Sequence, residues 1–161
     1  MIIRIGFSWF FVREPAPEMP AVPPGVTLSS AGPDDPAWRV LTRPAGARDT
    51  AVVRVGGEPA HVSAAFENPG GIVLGGSFTR PVFRGRGLYP LALRWLCARL
   101  ARDGVRRVYI STSVMNAASR RGILAAGFRV DRVVMSMRVG PWDLGRWLDA
   151  VVRSGKRALG H

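Results

Sequence analysis

Two glycines and two arginines stand close together in the middle of the chain, directly before a segment with helical periodicity. Arg84-Gly85-Arg86-Gly87 is followed, from Leu88 on, by apolar residues three or four positions apart. Glycine lets the backbone approach a ligand closely, and the first amides of a helix lack partners within the helix and lie at the positive end of its dipole. The pattern therefore predicts a phosphate cradle in which two arginine forks suit a diphosphate or a ribose phosphate. A tight turn with solvated arginines is the alternative interpretation.

Few side chains in the sequence could move a proton near this turn. His61 lies on a predicted central strand and Glu67 just after it, and both are candidates for a general base, His61 because imidazole titrates near neutral pH. Tyr89, at the mouth of the cradle, could donate a proton to a leaving group or pack against a ligand. Each of the three also has a purely structural interpretation. Cys97 falls among apolar helix positions and is predicted to be a small buried hydrophobic residue.

The cysteine and histidine content excludes several classes of protein. Cys97 is the single cysteine, so no intramolecular disulfide can form, and no set of cysteines and histidines has the spacing of metal ligands. We therefore expect no metal and a reducing, cytoplasmic location. Residues 5–12 are apolar but continue into Arg13 without a small-residue cleavage site, so they are predicted to form a strand and not a signal peptide. Nothing else approaches the roughly 18 apolar residues of a membrane span.

The elements that must position these residues follow from hydrophobic periodicity and from the glycines and prolines. Strands are predicted at 5–12, 26–28, 51–55, 59–66, 72–79, 108–112 and 128–139, with a brief helical piece at 37–41. One helix is predicted from Leu88 to a cap at Gly104, with Leu91, Ala92, Trp95, Leu96 and Leu100 inward, and a second from Asn116 to residue 126. Five prolines make 14–25 an extended connector, and 142–159 is predicted to be a terminal amphipathic helix with Trp147 and Leu148 inward.

Length and composition bound the fold. At 161 residues and 47% hydrophobic content, the chain fits a single domain, 1–161, with a sizeable core. A β-meander followed by alternating strands and helices predicts an α/β (α+β) fold with a mixed, mostly antiparallel central sheet flanked by helices. The net charge of +12 favours polyanionic ligands but does not choose among nucleic acid, acidic lipid and phosphorylated cofactors.

The glycine-arginine turn resembles the acyl-coenzyme A signature of the GNAT N-acetyltransferase superfamily, Arg/Gln-x-x-Gly-x-Gly/Ala. Arg84 and Gly87 match this signature, while Tyr89 stands where the superfamily usually has glycine or alanine. Downstream, the segment 116–128 resembles the superfamily's helix that begins near an asparagine and ends in Gly-Phe. The resemblance covers about residues 50–139 in element order, and its specific motifs cover about 72–128.

By this resemblance, an acyl-coenzyme A cosubstrate would be held by the end of a strand, by the turn and by the start of the second helix. The pantetheine arm would pair with the strand end, the diphosphate would bind the amides of the turn, and the second helix would contact the arm. The implied cofactor-binding residues are Phe78, Thr79, Arg80, Arg84, Gly85, Arg86, Gly87, Leu88, Tyr89, Asn116 and Ser119. From the residues alone, Asn116 is equally well explained as the N-cap of its helix.

The same resemblance implies an acyl-CoA-dependent N-acyltransferase, with acetyl transfer from acetyl-CoA to an amine by direct attack in a ternary complex as the expected reaction. Two of the superfamily's usual groups are missing, because Leu74-Gly75-Gly76-Ser77 carries no acidic base and Ile123 occupies the usual tyrosine position. A catalytically degenerate acyl-CoA-binding domain is therefore one alternative. A basic nucleic-acid-binding module is another, and it rests on net charge and scattered aromatic residues alone.

The acceptor side of the site has little sequence to define it. The superfamily usually places two helices between its first two strands to shape the acceptor site, whereas only about residues 33–49 are available for that purpose here. The acceptor groove is therefore predicted to be open, or to be completed by a second subunit in a homodimer. The expected acceptor is a small-molecule or protein amine.

Overall fold

The computed structural model describes residues 3–139 and 147–148 of the chain. The strands are β1 (Ile3–Arg13), β2 (Val26–Ser29), β3 (Asp49–Val55), β4 (Glu58–Asn68), β5 (Gly71–Thr79), β6 (Val108–Ser113), β7 (Arg129–Val139) and β8 (Trp147–Leu148). The helices are α1 (Leu88–Arg102) and α2 (Ala117–Ala125), and two short 3-10 turns lie at Pro36–Arg39 and Pro81–Phe83.

The eight strands form one sheet in the order β2-β3-β4-β5-β6-β1-β7-β8. All neighbouring pairs are antiparallel except β5 and β6, which are parallel. The sheet is thus mixed and mostly antiparallel, with helices packed on it, and this confirms the predicted fold class. The first strand of the chain does not lie at an edge, because β1 pairs with β6 on one side and with β7 on the other.

The parallel pair β5–β6 stays together over a short distance only. Ile72 to Leu74 pair with Val108 to Ile110, and beyond Leu74 the remaining residues of β5 pair with β4 alone. The separation begins where β5 has a bulge opposite β4, at Gly76, whose φ of +59° is a left-handed conformation that favours glycine. A bulge bends its strand and increases its twist. The sheet therefore opens between the ends of β5 and β6.

Helix α1 lies against β3, β4 and β5, and α2 packs on α1 and β6. The buried side of α1 is wider than the predicted stripe, because Leu93 and Ala98 are buried as well, and Cys97 is buried as predicted. Trp95 is half-buried, and its ring lies 4.9 Å from the guanidinium carbon of Arg99. Arg99 in turn donates from Nε to Asp49 at 2.7 Å, which ties the helix to the start of β3. Each fully buried leucine contributes about 1.5–3 kcal/mol to the packing.

Of the elements predicted near the two ends of the sequence, the structure describes the N-terminal strand in full and the C-terminal helix segment only in small part. The N-terminal strand is present as β1, and the proline-rich segment 14–25 contains no strand or helix. The predicted terminal helix, 142–159, lies outside the described residues except for Trp147–Leu148, which form the short strand β8 paired with β7. Within the described ranges, neither helix has both the length and the hydrophobicity of a membrane-crossing segment.

Candidate active site

A cavity of about 850 Å³ lies where the sheet opens, between the end of β5 and the first turns of α1 and α2. It receives residues from β4, from β5, from the turn before α1 and from α2. Its lining comprises His61, Ser77, Phe78, Thr79, Phe83, Arg84, Gly85, Arg86, Gly87, Leu88, Tyr89, Pro90, Asn116, Ala118, Ser119, Arg121, Gly122 and Ala125. Nearly all the predicted cofactor-binding residues thus meet in one place.

The turn before α1 presents unpaired backbone donors to this cavity. Gly85 and Gly87 have φ of +76° and +71°, and Gly87 is the N-cap of α1. No intramolecular acceptor binds the amides of Gly85 to Tyr89 in the described part of the chain, as expected for a helix start whose cap has no side chain. A Cβ at either glycine would meet nothing within 4 Å, so the space in front of both is open. The turn can therefore hold an anionic group such as a phosphate.

Arginines make the same end of the cavity strongly positive. Arg84 and Arg86 line it, each with a bond back to a backbone carbonyl, and Arg121 reaches it from α2. The guanidinium of Arg86 lies 5.4 Å from the ring centre of Phe83, which holds it over an aromatic face. Neither aspartate nor glutamate occurs among the lining residues. This charge suits a polyphosphate and disfavours a cationic ligand at this end.

The end of β5 supplies a strand edge along the cavity wall. Phe78 and Thr79 line the cavity while pairing with β4 on their other side, at Val62 and His61. Strand residues present alternate amide and carbonyl groups to each side, so the edge that faces away from β4 can pair with an extended ligand. A flexible chain that carries amide groups would fit between this edge and β6.

His61 is buried at the centre of a set of hydroxyl groups. It is 1% exposed, its Nδ1 lies 2.7 Å from Oγ1 of Thr79, and its Nε2 lies 2.8 Å from Oγ of Ser63. The Oγ of Ser63 lies a further 2.8 Å from the Oγ of Ser77, which lines the cavity. Burial lowers the pKa of His61 to about 4, so the imidazole is neutral at physiological pH. The hydroxyl chain links this neutral ring to the cavity.

Tyr89 reaches from α1 across to α2. Its ring packs on Gly122, where an added Cβ would lie 2.4 Å from Cδ1 of the tyrosine, and its hydroxyl lies 3.4 Å from Oγ of Ser119. Burial raises the pKa of Tyr89, an effect that hydrogen bonding to Ser119 and Ser77 partly offsets. The phenol is thus protonated and faces the cavity. Ile123, at the position where the resemblance leads one to look for a tyrosine, is fully buried in the core.

Two of the predicted site residues lie elsewhere. Glu67 is near the opposite end of β4 from His61, and its exposed carboxylate forms an ion pair with Arg48 at 2.9 Å, so the structure does not place it with the other candidates. Arg80 is not among the lining residues, because its guanidinium turns back to donate to the carbonyl of Pro59 at 2.8 Å.

Ser63 and Ser77, which contact each other and connect His61 to the cavity, are not among the residues predicted from the sequence. Ser63 could have been found, since residues two apart on a strand share a face and His61 was already a candidate. Ser77 depends on the bulge in β5, which has no comparable signal in the sequence. Asn116 lines the cavity, and its Oδ1 accepts from the amide of Ser119 at 2.9 Å, which confirms the predicted N-cap of α2. The described residues contain no cluster of three or more His, Cys, Asp or Glu side chains suited to a metal ion.

Comparison with known proteins gives a consistent result at the level of structure. No protein-family model and no curated protein sequence matches the chain. Among solved structures, a GNAT-family protein from Novosphingobium aromaticivorans has a TM-score of 0.62 and 25% identity, over 82% of this chain and 63% of its own. A GCN5-related N-acetyltransferase from Sphaerobacter thermophilus has a TM-score of 0.68 and 19% identity, over 84% of this chain and 52% of its own. A tandem GNAT protein from the clavulanic acid biosynthesis pathway has a TM-score of 0.59 and 20% identity, over 86% and 55%.

The described residues combine a mixed sheet, which opens between the ends of β5 and β6, with a helix start rich in glycine and arginine beside the opening. The similarity to these solved structures shows that the chain has a GNAT-like α/β fold. The chain spans between about half and two-thirds of the length of these structures.

Proposed function

We propose that this protein is an acyl-CoA-dependent N-acyltransferase that transfers an acetyl group from acetyl-CoA to an amine in a ternary complex. The observation that carries the proposal is the combination, in one cavity, of unpaired amides at Gly85 to Tyr89 with the end of β5 at Phe78 and Thr79, which pairs with β4 but not with β6. A phosphorylated cosubstrate with a long amide-containing arm matches both features. The GNAT fold of the chain supports the same conclusion.

The residues present fit such a cosubstrate. Gly85 and Gly87 leave open the space that a Cβ would enter, Arg84 and Arg86 supply positive charge at the turn, and the edge of β5 can pair with the pantetheine arm. Asn116 and Ser119 stand on the α2 side of the cavity, where they can contact the arm. When bound, the thioester supplies a carbonyl carbon open to attack and a thiolate leaving group.

Tyr89 is the group of this site best placed to protonate the leaving sulfur. It is protonated at neutral pH, it lines the cavity, and its ring position is fixed by contact with Gly122. The acceptor must arrive as a neutral amine, because only the free lone pair is nucleophilic. The absence of carboxylates from the lining favours an acceptor that is not strongly cationic, whether a small molecule or a protein amine. We also propose a cytoplasmic location, because a chain with a single cysteine forms no intramolecular disulfide and therefore fits a reducing compartment.

Binding and turnover test the proposal separately. Calorimetry should detect coenzyme A binding, and coenzyme A at 100 times its Kd should stabilise the fold by about 2.7 kcal/mol. Free thiol should then appear when acetyl-CoA is mixed with a panel of amines. Binding without thiol release for any amine would favour the catalytically degenerate alternative, and binding of nucleic acid in place of coenzyme A at physiological salt would favour the basic module.

A pair of glycine variants locates the site. Gly87→Asp places a carboxylate in the cradle, and Gly104→Asp is its matched control, because Gly104 has a similar φ of +80° with nothing within 4 Å and lies outside the cavity. Both variants carry the same added charge and a similar backbone strain. We expect Gly87→Asp to weaken coenzyme A binding about 100-fold and Gly104→Asp to change it less than about threefold. Equal losses in the two variants would contradict the assignment of the turn.

A further inference from the structure

A chain of hydrogen-bonded side chains that contains no carboxylate lies behind the cavity. It runs from Thr79 through His61 and Ser63 to Ser77, with each of its three contacts between 2.7 and 2.8 Å. Ser63 is fully buried and His61 almost fully, whereas Ser77 opens onto the cavity. A buried chain of this kind lies at the position where the expected acidic base is missing.

We propose that Ser77 takes the proton from the acceptor amine during acyl transfer, and that Ser63 and His61 are positioning residues that hold its hydroxyl in the orientation this requires. The inference rests on the proposed acyltransferase function. Ser77 is suited to the role because its hydroxyl contacts Ser63 of the chain that contains His61, and because it lines the same cavity as Tyr89 and hydrogen-bonds to the Tyr89 phenol.

The step balances without any external acid or base. The amine nitrogen forms a bond to the thioester carbonyl carbon, and the bond between that carbon and sulfur breaks. The nitrogen loses one proton to the Oγ of Ser77, the original proton of Ser77 passes to the oxygen of Tyr89, and the phenol proton of Tyr89 goes to the departing sulfur. The net result is one proton moved from nitrogen to sulfur, with both hydroxyl groups restored.

In this mechanism His61 determines which of the neighbouring hydroxyl groups donate and which accept hydrogen bonds. A neutral imidazole donates from one ring nitrogen and accepts at the other, so it assigns opposite roles to the hydroxyls of Thr79 and Ser63. The role given to Ser63 then sets which way the Ser77 hydroxyl points. Because burial keeps the ring neutral, no buried imidazolium has to form and the ring need not exchange protons at each turnover.

Substitutions at two positions separate positioning from base catalysis. Ser77→Ala removes the relay hydroxyl, His61→Gln keeps one donor and one acceptor, and His61→Leu removes both. Ser29→Ala is the control, because Ser29 is on β2, accepts a hydrogen bond from Arg54 of β3 and lies outside the cavity. We expect Ser77→Ala and His61→Leu to lower kcat by about 100-fold with little change in the Kd for coenzyme A, and His61→Gln to retain kcat within about fivefold.

The pH profile gives an independent readout. If His61 only positions Ser77, the acid limb of kcat/KM follows the pKa of the acceptor amine and is the same in His61→Gln and the wild type. A kcat for Ser77→Ala within about twofold of the wild type would overturn the relay. If His61→Gln were as inactive as His61→Leu, and if its profile of kcat/KM against pH lacked the acid limb of the wild type, then His61 would be the base and the positioning role would be overturned. A wild-type protein that binds no coenzyme A would overturn the proposed function itself, which none of the variant results would do.

Discussion

Replacing Gly122 by alanine tests the contact between α1 and α2 that places Tyr89 in the cavity. An added Cβ would lie 2.4 Å from Cδ1 and 2.9 Å from Cε1 of Tyr89, against about 3.5–4.0 Å for an ordinary contact between carbon atoms. The ring would have to shift by about 1 Å or leave its position. Every other atom near the added methyl group lies at 3.5 Å or more. The steric conflict is therefore specific to one side chain.

The expected change in stability combines two opposing effects. Overpacking of this kind costs about 1–3 kcal/mol, whereas exchanging glycine for alanine inside a helix contributes about 1 kcal/mol of stability. Gly122→Ala should therefore lower the free energy of unfolding by about 0–2 kcal/mol when Tyr89 is present, and raise it by up to about 1 kcal/mol in a Tyr89→Ala background. The sign of the effect should reverse between the two backgrounds.

Urea denaturation of the four proteins in this double-mutant cycle measures the coupling directly, and we expect about 1–3 kcal/mol between the two positions. Acyl transfer should fall in Gly122→Ala along with stability, since the phenol would move away from Ser119. Tyr109→Phe is the matched control, because Tyr109, the only other tyrosine, is on β6 and outside the cavity lining. If Gly122→Ala stabilised the protein equally in both backgrounds, the inferred position of the Tyr89 ring would be refuted.

Two further predictions concern buried titratable groups. Because burial lowers the pKa of His61 from 6.5 to about 4, the unfolded chain binds a proton in this range that the native protein does not, so stability should fall as the pH drops from 6.5 to 4, by about 3 kcal/mol in all. Urea titrations at several pH values should show that His61→Gln lacks this component, and an unchanged pH dependence would refute it. Burial raises the pKa of Cys97 to about 12, so a thiol reagent should label no cysteine in the native protein and one per chain in denaturant, and rapid native labelling would contradict the buried position.

The local elements and the cradle could be predicted from the sequence because both depend on short-range patterns. Glycines, prolines and apolar spacing fix where strands and helices begin. The turn at Arg84 to Gly87 can be recognised because its arginines and glycines are consecutive in the sequence. The pairing of β1 with β6 and β7 could not be predicted in this way. This pairing joins segments about a hundred residues apart, and no local sequence pattern indicates which distant strands will pair.

The positions of the catalytic candidates also depend on the three-dimensional fold. The sequence makes both His61 and Glu67 candidates for a general base, but at about 3.3 Å per residue they lie roughly 20 Å apart along β4, so only one of them can face the cavity. His61 was chosen because imidazole titrates near pH 7, yet its burial removes that property and leaves a fixed hydrogen-bonding role. Ser77 was noted only for not being a carboxylate. Its partnership with Ser63 arises from a bulge that has to be seen in three dimensions.

The central position of β1 has a consequence for how the chain folds. β1 is synthesised before both of its partners, since β6 and β7 follow it by about a hundred residues, and its two edges stay unpaired until those strands are made. Until then an apolar segment with open edges, including Phe10 and Phe11, is available for wrong partners. Closing the sheet around β1 through such distant pairings favours slow folding and a need for protection during synthesis.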